Sequence, residues 1–442
     1  MQFSSVNDAS PAVAFPEALR RGLAPDGGLY MPDHIPRIAP EFWQHLRSKP
    51  LSNAEIGKVL LRPWLDGVLS ESVFEALVED ALNFDAPLIP LDDAARTHVL
   101  ELFHGPTLAF KDFAARTMGR LMAELLRDDG PQLHVLTATS GDTGAAVADG
   151  FYGVEGITVW VLYPSGKVSA LQEKQFTTLG GNVMALEVDG TFDDCQRLVK
   201  QAFVDEELRA KLSLTSANSI NIGRLLPQMV YYVRALSQLF ERQPQAADPV
   251  FIVPSGNFGN LTAGLLAAET GMPAHHFIAA SNRNRTFYDY IQSGSYRPRP
   301  SERTISNAMD VGDPSNFTRM LALFGKQHGR IRERITAFWV DDETTTAAVQ
   351  RVYDETGYIM DPHTAVGYEA WQRYRGASSE NRPGILLATA HPAKFGDVMP
   401  EAIRKRITLP PALQKLHKRE KKAVRMPADY EAFKAELLKM SF

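Results

Sequence analysis

One lysine and two glycine-rich turns are the parts of this sequence whose types and spacing could do chemistry. Lys111 stands in ELFHGPTLAFKDFAARTMGRLMAELL, flanked by Phe110, Asp112 and Phe113. A lysine is ordinarily a solvated surface residue. At the mouth of a pocket its pKa falls and it can form a Schiff base with a carbonyl cofactor; chain position alone leaves both readings open. The turns are HVLTATSGDTGAAVADG, with Ser140, Gly141, Asp142, Thr143 and Gly144, and VFIVPSGNFGNLTAGLLAAETG, with Ser255, Gly256, Asn257, Phe258, Gly259 and Asn260. Each reads as strand, turn and helix in succession, an order that puts N–H groups and the positive end of a helix dipole where anions bind. The same residue types also cap helices in tight connections, so neither turn is specific by itself. No G-x-x-x-x-G-K-[ST] occurs, and GNFGN lacks the spacing of G-x-G-x-x-G. Two anion-capable turns in one chain suggest a ligand set with more than one anionic end.

These residues need elements to hold them. From His98 onward, short β-rich runs alternate with helix-length amphipathic segments, the signature of parallel-sheet α/β architecture. Strands are expected at His134–Thr139, Ile157–Tyr163, Val183–Val188, Val250–Pro254, His276–Ser281, Thr336–Val340 and Gly384–Thr389. Several are apolar almost throughout, as in strands covered on both faces. Phe110, Phe113, Ala114, Thr117, Met118, Leu121, Met122 and Leu125 recur at helical spacing, so a core-facing helix starts at the lysine. Residues 1 to about 90, with the turn-rich APDGGLYMPDHIP, read as a separate lobe. Gln292–Arg303 reads as an exposed loop and Arg242–Asp248 as a linker. The basic run Lys415–Arg425 reads as a solvated helix face.

A chain of 442 residues is long enough for two or three domains. With 47 Lys+Arg against 52 Asp+Glu, its net charge of −5 gives no reason to expect nucleic acid as partner. Cys195 is the single cysteine, which excludes an intrachain disulfide and a Cys-based zinc site and fits a reducing, cytoplasmic setting. The longest apolar runs fall short of the roughly 18 to 20 residues a bilayer demands, so no membrane partner is expected. The first residues lack the basic start and apolar core of a secretory signal.

HGPTLAFKD, with Lys111, resembles the pyridoxal-phosphate attachment segment of the threonine synthases, within the fold-type II (tryptophan-synthase-β-like) enzymes. The resemblance continues in TATSGDTG, YPSGKVSALQEKQ, SANSINIGRLLPQ, PSGNFGNLTAG and TAHPAKF, and in the early GLAPDGGLYMP, in the family's order over almost the whole chain. It implies two open parallel-sheet α/β domains with the cofactor between them and an N-terminal lobe. The expected division is 1–92 for the lobe, 93–235 for a smaller domain with the lysine and substrate loop, and 236–442 for a larger domain with the phosphate cup. By the same resemblance, Lys111 holds pyridoxal 5'-phosphate and shuttles protons. Gly256, Asn257, Phe258, Gly259 and Asn260 cup the cofactor phosphate, and Thr389 meets the pyridine nitrogen. Ser140, Asp142 and Thr143 line the substrate side; Lys167, Ser219, Asn221, Arg224 and Lys394 are candidates for a second phosphate site. No metal is implied, and His363 and His391 stay outside the catalytic set as structural hydrogen bonders. The implied reaction converts O-phospho-L-homoserine and water to L-threonine and phosphate, by a monomer or small homo-oligomer in the cytoplasm. Two alternatives stand beside it: a phospho-lyase releasing 2-oxobutyrate on the same scaffold, and a non-catalytic cofactor- or anion-binding module.

Overall fold

A computed structural model describes residues 1–92, 96–126, 132–378 and 381–439. In chain order its strands are β1 (Gln2–Ser5), β2 (Val13–Ala14), β3 (Tyr30–Pro32), β4 (Leu88–Pro90), β5 (Thr97–Glu101), β6 (Leu133–Ala138) and β7 (Ile157–Pro164). They continue with β8 (Val183–Asp189), β9 (Ser213–Ser216), β10 (Val250–Pro254), β11 (His276–Ser281), β12 (Ile335–Trp339), β13 (Gly384–Ala388) and β14 (Val424–Pro427). They form three sheets: a small antiparallel β2-β1-β3, a six-stranded β12-β11-β10-β13-β5-β4 and a five-stranded β14-β8-β7-β6-β9. The five-stranded sheet is parallel throughout, and the six-stranded one is parallel except for the edge strand β4. Strands β6, β7, β10 and β13 are buried at every position, as aliphatic runs sandwiched between helices must be.

All seven expected strands form, with ends moved by a residue at most. Four in this α/β part carried no readable signal. Strands β4, β5, β9 and β14 are three to five residues long, and β9 is SLTS; pairing with a neighbour creates them, not their own composition. Two of them bear on the expected division. Strand β5 pairs with β13 in the six-stranded sheet, and β14 crosses back to pair with β8 in the five-stranded one. Sheet membership therefore does not follow the cuts at 93 and 236, and residue 93 itself lies outside the described residues. The basic run is likewise no solvated helix face. It is a short turn at Lys415–Lys418 followed by β14, and Lys421 sits 2.6 Å from both Glu173 and Glu187. The expected loop at Gln292–Arg303 begins where the helix Thr286–Ser293 ends at a left-handed Gly294.

Helix α1 (Lys111–Leu126) buries Phe113, Ala114, Thr117, Met118, Leu121 and Met122, the stripe read from the sequence. It crosses α2 (Asp142–Gly150) at backbone contact. A Cβ on Gly150 would lie 2.7 Å from the Ala115 carbonyl carbon, so any larger residue would drive the helices apart. That close crossing carries the first residues of both helices, Lys111 and Asp142, to one edge. The N-terminal lobe does not float. One apolar cluster runs from Phe3, Phe15 and Trp64 through Phe113 and Tyr231 to Phe277.

Candidate functional site

Lys111 begins α1 in a buried corner, its ammonium 4.7 Å from the centre of the Phe110 ring. Its side chain is 15% exposed and its Nζ lies 3.9 Å from Asp142 Oδ2. Burial pulls the amine down to about 8; Asp142 resists that pull, whereas Lys394 and Arg224 add to it. Asp142 has a cation in contact, because Lys394 Nζ sits 2.6 Å from its Oδ1 with both side chains buried. Burial alone would raise the Asp142 carboxyl; Lys394 and Lys111 more than reverse that and hold it well below the usual carboxylate range. Gln172 donates to the same Oδ1 at 2.8 Å, and Lys394 also donates to the Thr107 carbonyl at 2.8 Å. Asp112 accepts from the Thr107 N–H at 2.9 Å and from its hydroxyl, and burial pushes it up to about 6.

The second turn, Ser255–Asn260, contains no ionisable side chain. Helix α3 (Gly259–Glu269) opens behind Phe258, whose φ of 60° is left-handed, a strained conformation for a phenylalanine. The N–H groups at the head of any helix lack intrahelical acceptors and face outward. Gly256 is required by the approach of the next loop, since a Cβ there would lie 2.7 Å from Met309 Cα. That loop is pinned in turn by His363, whose Nε2 accepts the Ala308 N–H at 3.1 Å while Nδ1 faces Asp361 at 2.6 Å. Asn257 donates to Ser219 Oγ at 2.7 Å and accepts from the Ser315 N–H at 2.6 Å. Asn316 donates to Ser219 Oγ and to the Asn257 carbonyl, and is held by the buried Arg319. Asn260 accepts from Tyr231 and Tyr232, both at 2.7 Å, leaving its buried Nδ2 without a partner among the described residues.

The two regions adjoin. The Tyr231 ring packs edge-on against Phe110 and Phe113 and its hydroxyl reaches Asn260, so one side chain links the head of α1 to the head of α3. Thr389, at the end of β13, accepts the Phe110 N–H on its carbonyl at 2.9 Å. Ser140 and Thr143 are half-buried beside Asp142 in a turn tied by Thr139 Oγ1, which accepts from Gly141 and Gly144. Arg224 is buried, bonded to the Ala217 carbonyl, and its Nε is a second buried donor without a partner among the described residues.

The other phosphate candidates are placed differently from one another. Ser219 lies against the cup, and Lys167 is exposed beyond β7. Asn221 is fully buried: it donates to the Leu19 and Ser216 carbonyls and accepts from Gly223, work that anchors the N-terminal lobe instead of facing a ligand. Lys394 gives two of its three N–H donors to Asp142 and to the Thr107 carbonyl. His391 is pushed down to about 4 by burial and accepts the Ala393 N–H. Sequence reading missed Thr107, Gln172, Gln175, Asn316 and Arg319. Of these, Thr107, Gln172 and Gln175 lay inside segments already singled out, whereas Arg319 and Asn316 sit in a stretch with no local signal.

Comparison with known proteins gives this geometry relatives. Residues 82–389 match the pyridoxal-phosphate dependent enzyme family, residues 2–82 the threonine synthase N terminus and residues 364–436 the threonine synthase C-terminal family. The chain is 42% identical to the threonine synthase of Haemophilus influenzae, over 99% of this chain and 100% of that one. It is 41% identical to that of Escherichia coli, over 98% of each. The crystal structure of the Escherichia coli protein has a TM-score of 0.91 at 40% identity, covering 99% of this chain and 100% of that one. A pyridoxal-phosphate-bound threonine synthase from Brucella melitensis has a TM-score of 0.90 at 36% identity, covering 100% of this chain and 99% of that one.

Proposed function

The chain belongs to the threonine synthase family of pyridoxal-phosphate-dependent enzymes, and from that premise we propose how its own residues act. The substrate is O-phospho-L-homoserine, converted with water to L-threonine and inorganic phosphate. The residues present fit the cofactor: a buried amine, a neutral turn at a helix head for its phosphate, and a threonine at a strand end for its ring nitrogen. Two buried donors without partners among the described residues, Asn260 Nδ2 and Arg224 Nε, favour an anionic ligand here. When bound, the cofactor supplies an electron sink for charge developing beside the amino-bearing carbon.

Lys111 attaches the cofactor and, once displaced by substrate, carries protons. It takes one from Cα and one from Cβ, and protons return at Cα and Cγ. The Cγ–O bond breaks, phosphate leaves with the bonding pair, and water bonds to Cβ as hydroxyl, its other proton ending on the released phosphate. Gly256 to Asn260 hold the cofactor phosphate through backbone N–H groups, and the Thr389 hydroxyl meets the ring nitrogen, a neutral partner that leaves the ring less firmly protonated than an aspartate would. Ser140 and Thr143 take the substrate carboxylate. Arg224 and Ser219 take the substrate phosphate, with Lys167 at the rim. Cys195 is buried in an apolar cluster with Leu198 and Phe433, and burial pushes its thiol up to about 12. A single buried thiol suits the cytoplasm, where we place the reaction. Among the described residues no helix is long and apolar enough to cross a membrane.

The carrying observation is the buried Lys111 amine beside Asp142, next to a helix-head cup. The test is to incubate the cofactor-loaded protein with O-phospho-L-homoserine and quantify phosphate, threonine and 2-oxobutyrate together. Equal phosphate and threonine is the expected result. Phosphate matched by 2-oxobutyrate would make the protein a lyase, and no phosphate would overturn the substrate.

A further inference from the structure

We propose that Lys394 and Asp142 are positioning residues for Lys111: Lys394, reaching across from the six-stranded sheet, fixes the Asp142 carboxylate so that its second oxygen holds the proton carried by Lys111. This rests on the reading of Lys111 as the proton carrier.

The geometry assigns each oxygen of Asp142 a duty. Oδ1 takes Lys394 at 2.6 Å and Gln172 at 2.8 Å, which leaves Oδ2 as the oxygen turned to Lys111 Nζ, 3.9 Å away. Lys394 is fixed in turn, because it also donates to the Thr107 carbonyl, which Gln175 holds from the other side at 2.9 Å. A buried ion pair is weak grounds for stability, since well-packed apolar residues of the same volume often do as well. Its placement is the informative part. Lys394 follows β13 in the segment Pro392–Val398, Asp142 heads α2 behind β6, and the pair therefore joins the two sheets within reach of the amine that must gain and lose protons.

The charged groups around Lys111 are Asp142 on α2, Lys394 on the segment after β13, Arg224 in the turn after β9 and Asp112 on its own helix. Asp142 favours the ammonium, and Lys394 and Arg224 oppose it. Lys111 holds the Asp142 carboxyl down as Lys394 does, so Asp142 stays the anion when Lys394 is removed, and what is lost is the cation that opposes the ammonium. With Lys394 in contact, Asp142 stays ionised, and a proton drawn from substrate stays on Lys111 until it is delivered to Cγ. The arrangement gives the two positioning residues opposite effects on one lysine.

That opposition is the test. In the cofactor-free full-length chain, the pH dependence of Lys111 acetylation by acetic anhydride, read by quantitative mass spectrometry, reports the Lys111 pKa directly; the holoenzyme gives the pH profile of kcat, which reports the amine once substrate has displaced it. Asp142→Asn is expected to lower the Lys111 midpoint by about one pH unit and Lys394→Gln to raise it by about half a unit, while Lys394→Arg leaves it near the wild-type value. The limb of the kcat profile set by Lys111 moves in the same senses. Shifts of the same sign, or none, overturn the proposal. Should the charge left behind in a single variant unfold it, the double variant D142N/K394Q removes both members of the pair together. It is expected to lower the midpoint by less than D142N alone would, because Asp142 exerts the larger influence; an unchanged or higher midpoint contradicts the assignment. Failure of the catalytic reading looks different: turnover surviving Lys111→Ala would remove the lysine from the reaction while leaving the midpoint shifts in place.

Discussion

The lysine corner and the cup lie a tyrosine apart and are built on opposite principles. Around Lys111 the protein buries four charged side chains, Lys111, Asp142, Lys394 and Arg224, with Asp112 at its shoulder. Around Ser255–Asn260 the polar partners are Ser219, Asn316, Tyr231 and Tyr232, Met309 and Phe287 pack beside them, and Arg319 spends its donors on the carbonyls of Tyr30, Ser219 and Ile220 and on Asn316. A proton carrier has to change charge, so its environment must set how readily it does so; buried charges do that because the low dielectric magnifies them. A cradle for a permanent anion must not change, and oriented N–H groups on a rigid helix head suffice. The cup is therefore a matter of packing and the corner a matter of charge.

Four changes would break or sharpen that contrast. Lys111→Ala should lower turnover by roughly 10³-fold or more while the fold persists, measured by phosphate release and circular dichroism. Survival of more than trace activity would leave the corner without its function. Arg319→Met should destabilise the protein by about 3 kcal/mol in urea unfolding, because it strands buried carbonyls on which the cup and the N-terminal lobe both lean. A loss of activity with unchanged stability would instead put Arg319 into direct contact with a ligand.

The pH dependence of stability separates the regions further. Lys111 titrates near 8 in the fold and near 10.5 when unfolded, so between those values the unfolded chain binds more protons and stability must rise with pH. The penalty is fully present below about pH 8 and is relieved above it. In the cofactor-free protein the rise should amount to at most about 3 kcal/mol and should vanish in Lys111→Ala. No such slope should be traceable to the cup. The smallest effect is expected from Gly256→Ala, which presses a methyl on Met309. It should weaken cofactor binding by about tenfold in a titration, with turnover at saturating cofactor largely preserved.

What could be read from the sequence follows the same division. Long aliphatic strands such as β7 and β10 announce themselves, because burial on both faces leaves a continuous apolar run. Strand β14 does not, because VRMP is an edge strand that exists only through its pairing with β8. The lysine, both turns and Thr389 lie in contiguous segments with a local logic of strand, glycine and helix head, so the chain displays them. The Lys394–Thr107–Asp142 network spans 287 residues between its two ends and has no local pattern at all. Asn221 shows the converse. It sits in a stretch that resembles a ligand turn, yet its amide is consumed by Leu19 of the N-terminal lobe, a partner about 200 residues away.

The central claim is that Lys111 is the amine that carries the cofactor. Reducing the cofactor-loaded protein with borohydride, digesting it and locating the fixed cofactor by mass spectrometry tests this in one step. The account predicts the added mass on the peptide containing Lys111 and on no other. The same mass on a peptide containing Lys394, or on a surface lysine such as Lys167, would contradict it.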